Sequence, residues 1–174
     1  MNIKETLLED NVYSKATIME VATYACSSEK RFRELMLCFL ANNYRLAQRA
    51  AWCVGWTAKI KPAMIVPHVK ALVEQLERND KHVAVIRNSV RVLESIDIPE
   101  VYHGDVMNAC FKFIESPSVP AAIKAFSLTT LYNLSKIYPE IKAELKLIIE
   151  DRMPHETAAF KSRGKKILKM ISKT

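Results

Sequence analysis

Glycine is nearly missing from this sequence: Gly55, Gly104 and Gly164 are the only three in 174 residues. That leaves little room for tight hairpin turns or for a loop that cradles phosphate. It excludes a GxSxG nucleophile elbow, a Walker loop and a GxGxxG dinucleotide fingerprint. Long apolar runs are missing too. None approaches the roughly 20 residues needed to cross a bilayer. The longest clean run, Leu35 to Ala41, reads as a buried helix face. The opening Met1-Asn2-Ile3-Lys4-Glu5-Thr6 is too polar for a secretory apolar segment, so a cytoplasmic protein is expected.

Paired ligand motifs are also lacking. Cys26, Cys38, Cys53 and Cys110 are spaced by 12, 15 and 57 positions with no CxxC, which reads as reduced thiols packed as small hydrophobes. His68, His82, His103 and His155 show no HExxH and no other paired spacing, so no metal and no cofactor is expected. His103, near Asp105 and Cys110, reads as a partly exposed histidine of a helical turn rather than half of a Cys/His site. No alternating run of β-branched residues is bounded by turn glycines.

What is present is a composition for helices. The hydrophobic fraction of 49% is that of an ordinary globular chain, and the length suits one domain with its own core. The net charge is +7, unevenly spread. Residues 155–174 carry six basic side chains against one acid, while the other 154 residues carry 20 basic and 18 acidic ones. The basic character therefore belongs mostly to the C-terminal segment, where cations also favour the macrodipole of a helix C-terminus. Phe160, Gly164, Ile167, Leu168 and Ile171 form the buried face expected of that helix, and Lys161, Lys165, Lys166, Lys169 and Lys173 its outer side.

A repeat near 37 residues runs through the chain. Gln48-Arg49-Ala50-Ala51 is followed by Ile86-Arg87-Asn88-Ser89, Ile123-Lys124-Ala125-Phe126 and Phe160-Lys161-Ser162-Arg163, and preceded by Ser14-Lys15-Ala16-Thr17. Pro62, Pro99 and Pro139 keep similar step, each opening a periodic apolar segment, as proline does at a first helical position. Leu46, Ala50, Cys53, Val54 and Thr57 recur at three- and four-residue steps on one helical face. Breaks fall at Asn42-Asn43, Asn79-Asp80, Ser116-Pro117-Ser118 and Met153-Pro154-His155, rich in residues that cap helix N-termini. The spacing predicts a single repeat domain over 1–174 in five helix pairs: 1–27 as a capping pair, then 28–60, 61–97, 98–137 and 138–174. One amphipathic pair cannot bury its apolar face alone, and stacked pairs share a continuous core.

The segment Phe32 to Lys59, FRELMLCFLANNYRLAQRAAWCVGWTAK, resembles a HEAT repeat. It has an apolar first helix, a polar turn and a second helix with paired small residues, Ala50-Ala51, and Gly55. His68 to Ile96 is similar, with Asn88-Ser89 at the small pair; Phe126 and Arg163 depart from the pattern in the later units. The resemblance implies an all-α fold, a right-handed α-α superhelix of about five antiparallel helix pairs, whose second helices line a concave surface.

On a wheel at about 100° per residue, Arg45, Arg49, Trp52 and Trp56 share a stripe beside the apolar face. In the next unit Arg87, Arg91 and Glu94 share a face, with Glu94 in register with Trp56. Lys15, Arg49, Arg87, Lys124 and Lys161 fall in repeat register, and Lys165 lies one turn beyond Lys161. Such a row either bridges neighbouring repeats or forms a basic ladder along a groove; paired tryptophans either pack between helices or offer stacking faces. The candidate binding residues are Arg45, Arg49, Trp52, Trp56, Arg87, Arg91, Lys124, Lys161 and Lys165.

Two functions fit this pattern. The first is a non-enzymatic scaffold that binds a protein or peptide on its concave face. The second is a nucleic-acid-binding module, since Tyr44 to Trp56 is similar to segments of the HEAT-like DNA alkylation repair family. That similarity implies a DNA groove with Arg49, Trp52 and Trp56 as contacts. The chain departs from that family in having no tryptophan followed four residues later by aspartate. An enzyme of another type has no residue pattern in its favour, and no small-molecule substrate and no membrane partner is expected.

Overall fold

Side-chain caps decide where several helices begin. Asn2 accepts a hydrogen bond from the Glu5 amide and starts α1 (Ile3–Leu8). Ser14 caps α2 (Lys15–Ala25), Ser28 caps α3 (Glu29–Phe39) and Asn43 caps α4 (Tyr44–Ile60), each accepting from an amide of the first turn. A short polar oxygen at this position satisfies one of the orphan amides of the first turn. The computed structural model describes residues 1–9, 14–78 and 83–173, and among them the regular structure is helical, with no strand. The expected break at Asn79-Asp80, and His82, lie outside the described residues.

The remaining helices are α5 (Val69–Glu74), α6 (Val83–Leu93), α7 (His103–Glu115), α8 (Ala121–Leu134), α9 (Ile141–Arg152) and α10 (Ala158–Ile171). The prolines behave less uniformly than expected. Pro62 opens a 3-10 turn (Pro62–Met64), and a second such turn (Val66–His68) follows before α5. Pro99 precedes a 3-10 turn (Glu100–Tyr102) that leads into α7, and Pro139 stands before α9. The break at Ser116-Pro117-Ser118 supplies no side-chain cap to α8, whose N-cap is Pro120. Met153-Pro154-His155 is itself a 3-10 turn, and α10 is capped by Thr157.

Two compact units result, Met1–Pro99 and Glu100–Thr174. In the first, α4 is the central element, packed against α1, α2, α3 and α6. Its Ala47, Ala50, Ala51, Cys53 and Val54 are all buried, and small side chains let several helices approach one axis closely. The apolar run from Leu35 to Ala41 is divided. Leu35, Met36, Cys38 and Phe39 are buried, but Leu37 points outward at 67% exposure.

In the second unit, α8 packs against α7 and α10, and α10 also against α9. Gly164 sits at that last contact: a Cβ there would meet Ile149 Cγ2 at 3.0 Å and Met153 Cε at 3.3 Å. Arg163, at a position held by a small residue in the second pair, donates to Thr129 Oγ1 of α8 and so finds a partner rather than a void. Phe160, Gly164 and Ile167 are buried, while Leu168 and Ile171 are only half-buried.

Candidate functional site

The site residues in the first unit come from three helices laid side by side. α4 contributes Trp52 and Trp56 one turn apart, α6 contributes Arg91, and the start of α2 contributes Lys15. Trp52 is 41% exposed, with the Arg91 guanidinium 5.6 Å from its ring centre. Trp56 is half-buried and carries two ammonium groups near its ring, Lys59 Nζ at 4.9 Å and Lys15 Nζ at 5.4 Å. An aromatic face attracts a cation through its quadrupole, most strongly for indole. The two tryptophans are therefore neither core side chains nor bare rings.

Between α4 and α6 these side chains border a cavity of about 240 Å³, lined by Trp52, Gly55, Trp56, Lys59, Arg91, Glu94 and Ser95. Gly55 leaves its mouth open, because a Cβ at that position would have no neighbour within 4 Å. The register that paired Glu94 with Trp56 is realised here, both lining one cavity. On the same helix as Trp56, burial pushes the Cys53 thiol up to about 12 despite a lowering backbone hydrogen bond. It is held as a neutral packing group.

Arg49 serves structure instead. Arg49 donates from one guanidinium nitrogen to the carbonyls of Leu7, at 2.8 Å, and Glu9, at 2.9 Å. It thus satisfies carbonyls at the C-terminus of α1, which have no intrahelical partner. Arg45 is exposed on the first turn of α4, and Arg87 is half-buried on α6.

In the second unit Lys124 departs most from the expected ladder. It is 2% exposed, and its Nζ donates to Glu156 Oε1 at 2.5 Å. Arg152 donates to the same oxygen at 2.9 Å. Burial alone raises the Glu156 carboxyl, but the hydrogen bonds and charges of Lys124 and Arg152 overcome that and hold it below its ordinary value. Lys124 is thus an internal ion-pair partner and is removed from any binding surface. Lys161 is half-buried and Lys165 exposed on α10. His103 also corrects an expectation. It is buried, with Nδ1 3.0 Å from the Tyr138 hydroxyl and the two rings nearly perpendicular.

Lys59, Lys15 and Ser95 are the site residues that sequence reasoning did not assign to the tryptophans. Lys59 was within reach: it follows Trp56 by three positions, so helical geometry places both on one face. The contact of Lys15 with Trp56 depends on how α2 packs against α4, which no local pattern announces.

The family model described as a HEAT repeat domain matches residues 3–171. The chain belongs to the HEAT-repeat family. No curated protein and no solved structure matches it, so the similarity of Tyr44–Trp56 to DNA alkylation repair proteins gains no support there. Within this HEAT-repeat domain α2, α4 and α6 carry the candidate site. Among the described residues no helix is long and apolar enough to cross a membrane, and no cluster of His, Cys, Asp and Glu could hold a metal ion.

Proposed function

We propose that this HEAT-repeat domain is a non-enzymatic scaffold that binds a protein or peptide through the face built by α2, α4 and α6. The observation that carries the reading is Trp52: a tryptophan 41% exposed at the rim of an open cavity, beside a second indole. Burying a tryptophan ring releases a large apolar area from water, and such residues anchor many protein interfaces. The four cysteines are buried free thiols, which suits a reducing, cytoplasmic setting.

A randomised peptide display library panned against the domain tests this. Peptides that enrich on the wild type and fail to bind Trp52→Ala support it. Enrichment that is the same on both, or none at all, rejects it. A nucleic-acid-binding module is the second reading, favoured by an exposed indole next to Arg91, a pairing that can stack on a base and reach a phosphate. Its signature is binding to a single-stranded oligonucleotide that falls steeply with salt.

A further inference from the structure

We infer that the segment recognised at this face is acidic, and that Lys15, Lys59 and Arg91 hold its carboxylates beside the two indoles. This rests on the peptide-binding reading above and adds the chemistry of the partner. Three helices bring one cation each to the same pair of rings. Among the described residues none of the three has a carboxylate within salt-bridge distance, and each faces an indole ring. A ring contact occupies one side of a cation and leaves N–H donors directed elsewhere. It also restrains a long flexible side chain, so less freedom is lost when an anion arrives. Lys15 and Lys59 lie within 5.4 Å of one ring centre, and an anion placed between them relieves their mutual repulsion.

The same arrangement disfavours a polynucleotide. Phosphates recur at every nucleotide and call for a track of cations. Here the row that would extend the track is interrupted at Arg49, whose guanidinium is engaged by the carbonyls of α1. A peptide carries its negative charges sparsely and can place one among three cations while keeping apolar atoms for the indoles.

Trp52 and Trp56 are the only tryptophans in the chain, so tryptophan emission excited beyond the absorption of the tyrosines reads this face alone. Normalised to the same ions acting on a free tryptophan amide, iodide is expected to quench it at least about threefold more efficiently than caesium, because anions concentrate near fixed cations. The difference should vanish in the Lys15→Gln/Lys59→Gln/Arg91→Gln variant. Peptides selected by panning should be enriched in Asp and Glu, and each should bind about fivefold more weakly to Arg91→Gln and to Lys59→Gln. Arg91→Lys should retain most of the affinity, which separates charge from folding.

Selected peptides without acidic excess, or with affinity unchanged in the glutamine variants, overturn the inference and leave the peptide-binding reading standing. Failure of Trp52→Ala to abolish binding removes that parent reading instead. A single-stranded oligonucleotide that displaces the selected peptides and binds more tightly than any of them overturns the acidic-peptide assignment.

Discussion

Replacing Lys124 with methionine tests the internal charge cluster of the second unit. The change keeps an unbranched chain and removes the Nζ that donates to Glu156. The side chains of Lys124 and Glu156 are 2% and 5% exposed, so little water can reach the carboxylate to replace that donor. Removing one partner of a buried pair costs about 3–5 kcal/mol, mostly for the charge left behind. Arg152, 22% exposed, still donates to Glu156, which places the expected loss near the lower end, about 3 kcal/mol at neutral pH.

The pH dependence follows from the lowered Glu156 value. A carboxyl whose folded value is depressed contributes stability that is present above its ordinary value of 4.5 and lost as pH falls through the lower folded value. The cost of Lys124→Met should therefore be largest at neutral pH and shrink in acid, where a protonated Glu156 no longer needs its cation. Urea denaturation followed by circular dichroism across this range reads both effects. Adding Glu156→Leu to Lys124→Met should recover only part of that loss, since it removes the buried carboxylate but leaves the partly buried Arg152 guanidinium without its acid. A loss below about 1 kcal/mol for the single variant, or one that stays constant into acid, would refute the assignment of Lys124 as a buried ion-pair partner.

The glycines give a contrasting pair. Gly55→Ala should stabilise by about 0.5–1 kcal/mol, because the position is open and alanine is the better helix former. Gly164→Ala should destabilise by about 1 kcal/mol, because the added methyl presses on Ile149 and Met153; thermal denaturation ranks the two. Arg49→Ala should speed amide exchange in α1 by roughly tenfold while leaving α10 unchanged, since two carbonyl partners at the end of α1 are lost. Cys53 and Cys110, both pushed up to about 12 by burial, should resist alkylation at mildly alkaline pH in the folded protein and react once urea unfolds it. Labelling at an equal rate in both states would contradict their burial.

Helix content, the repeat and many of the helix boundaries were legible in the residues because each depends on neighbours a few positions away. Asn43 is a cap whatever α4 packs against, and the spacing of Leu46, Ala50 and Cys53 defines a face before any partner exists. The stripe of Arg45, Arg49, Trp52 and Trp56 on α4, and the face of Arg87, Arg91 and Glu94 on α6, were legible for the same reason: the members of each share one helical face. The fate of each cation was not. Arg49 is claimed by a carbonyl 42 positions earlier and Lys124 by a carboxylate 32 positions later, although both occupy the same register as Arg87. A long basic side chain has the reach to meet water, an acid, a carbonyl or a ring, and these differ little in local sequence cost. Which one it meets is decided by what the packed helices bring within a few ångströms. Secondary structure and family were therefore properties of the sequence pattern, whereas the division of the basic residues between internal ties and an open indole-bearing face was decided by tertiary packing alone.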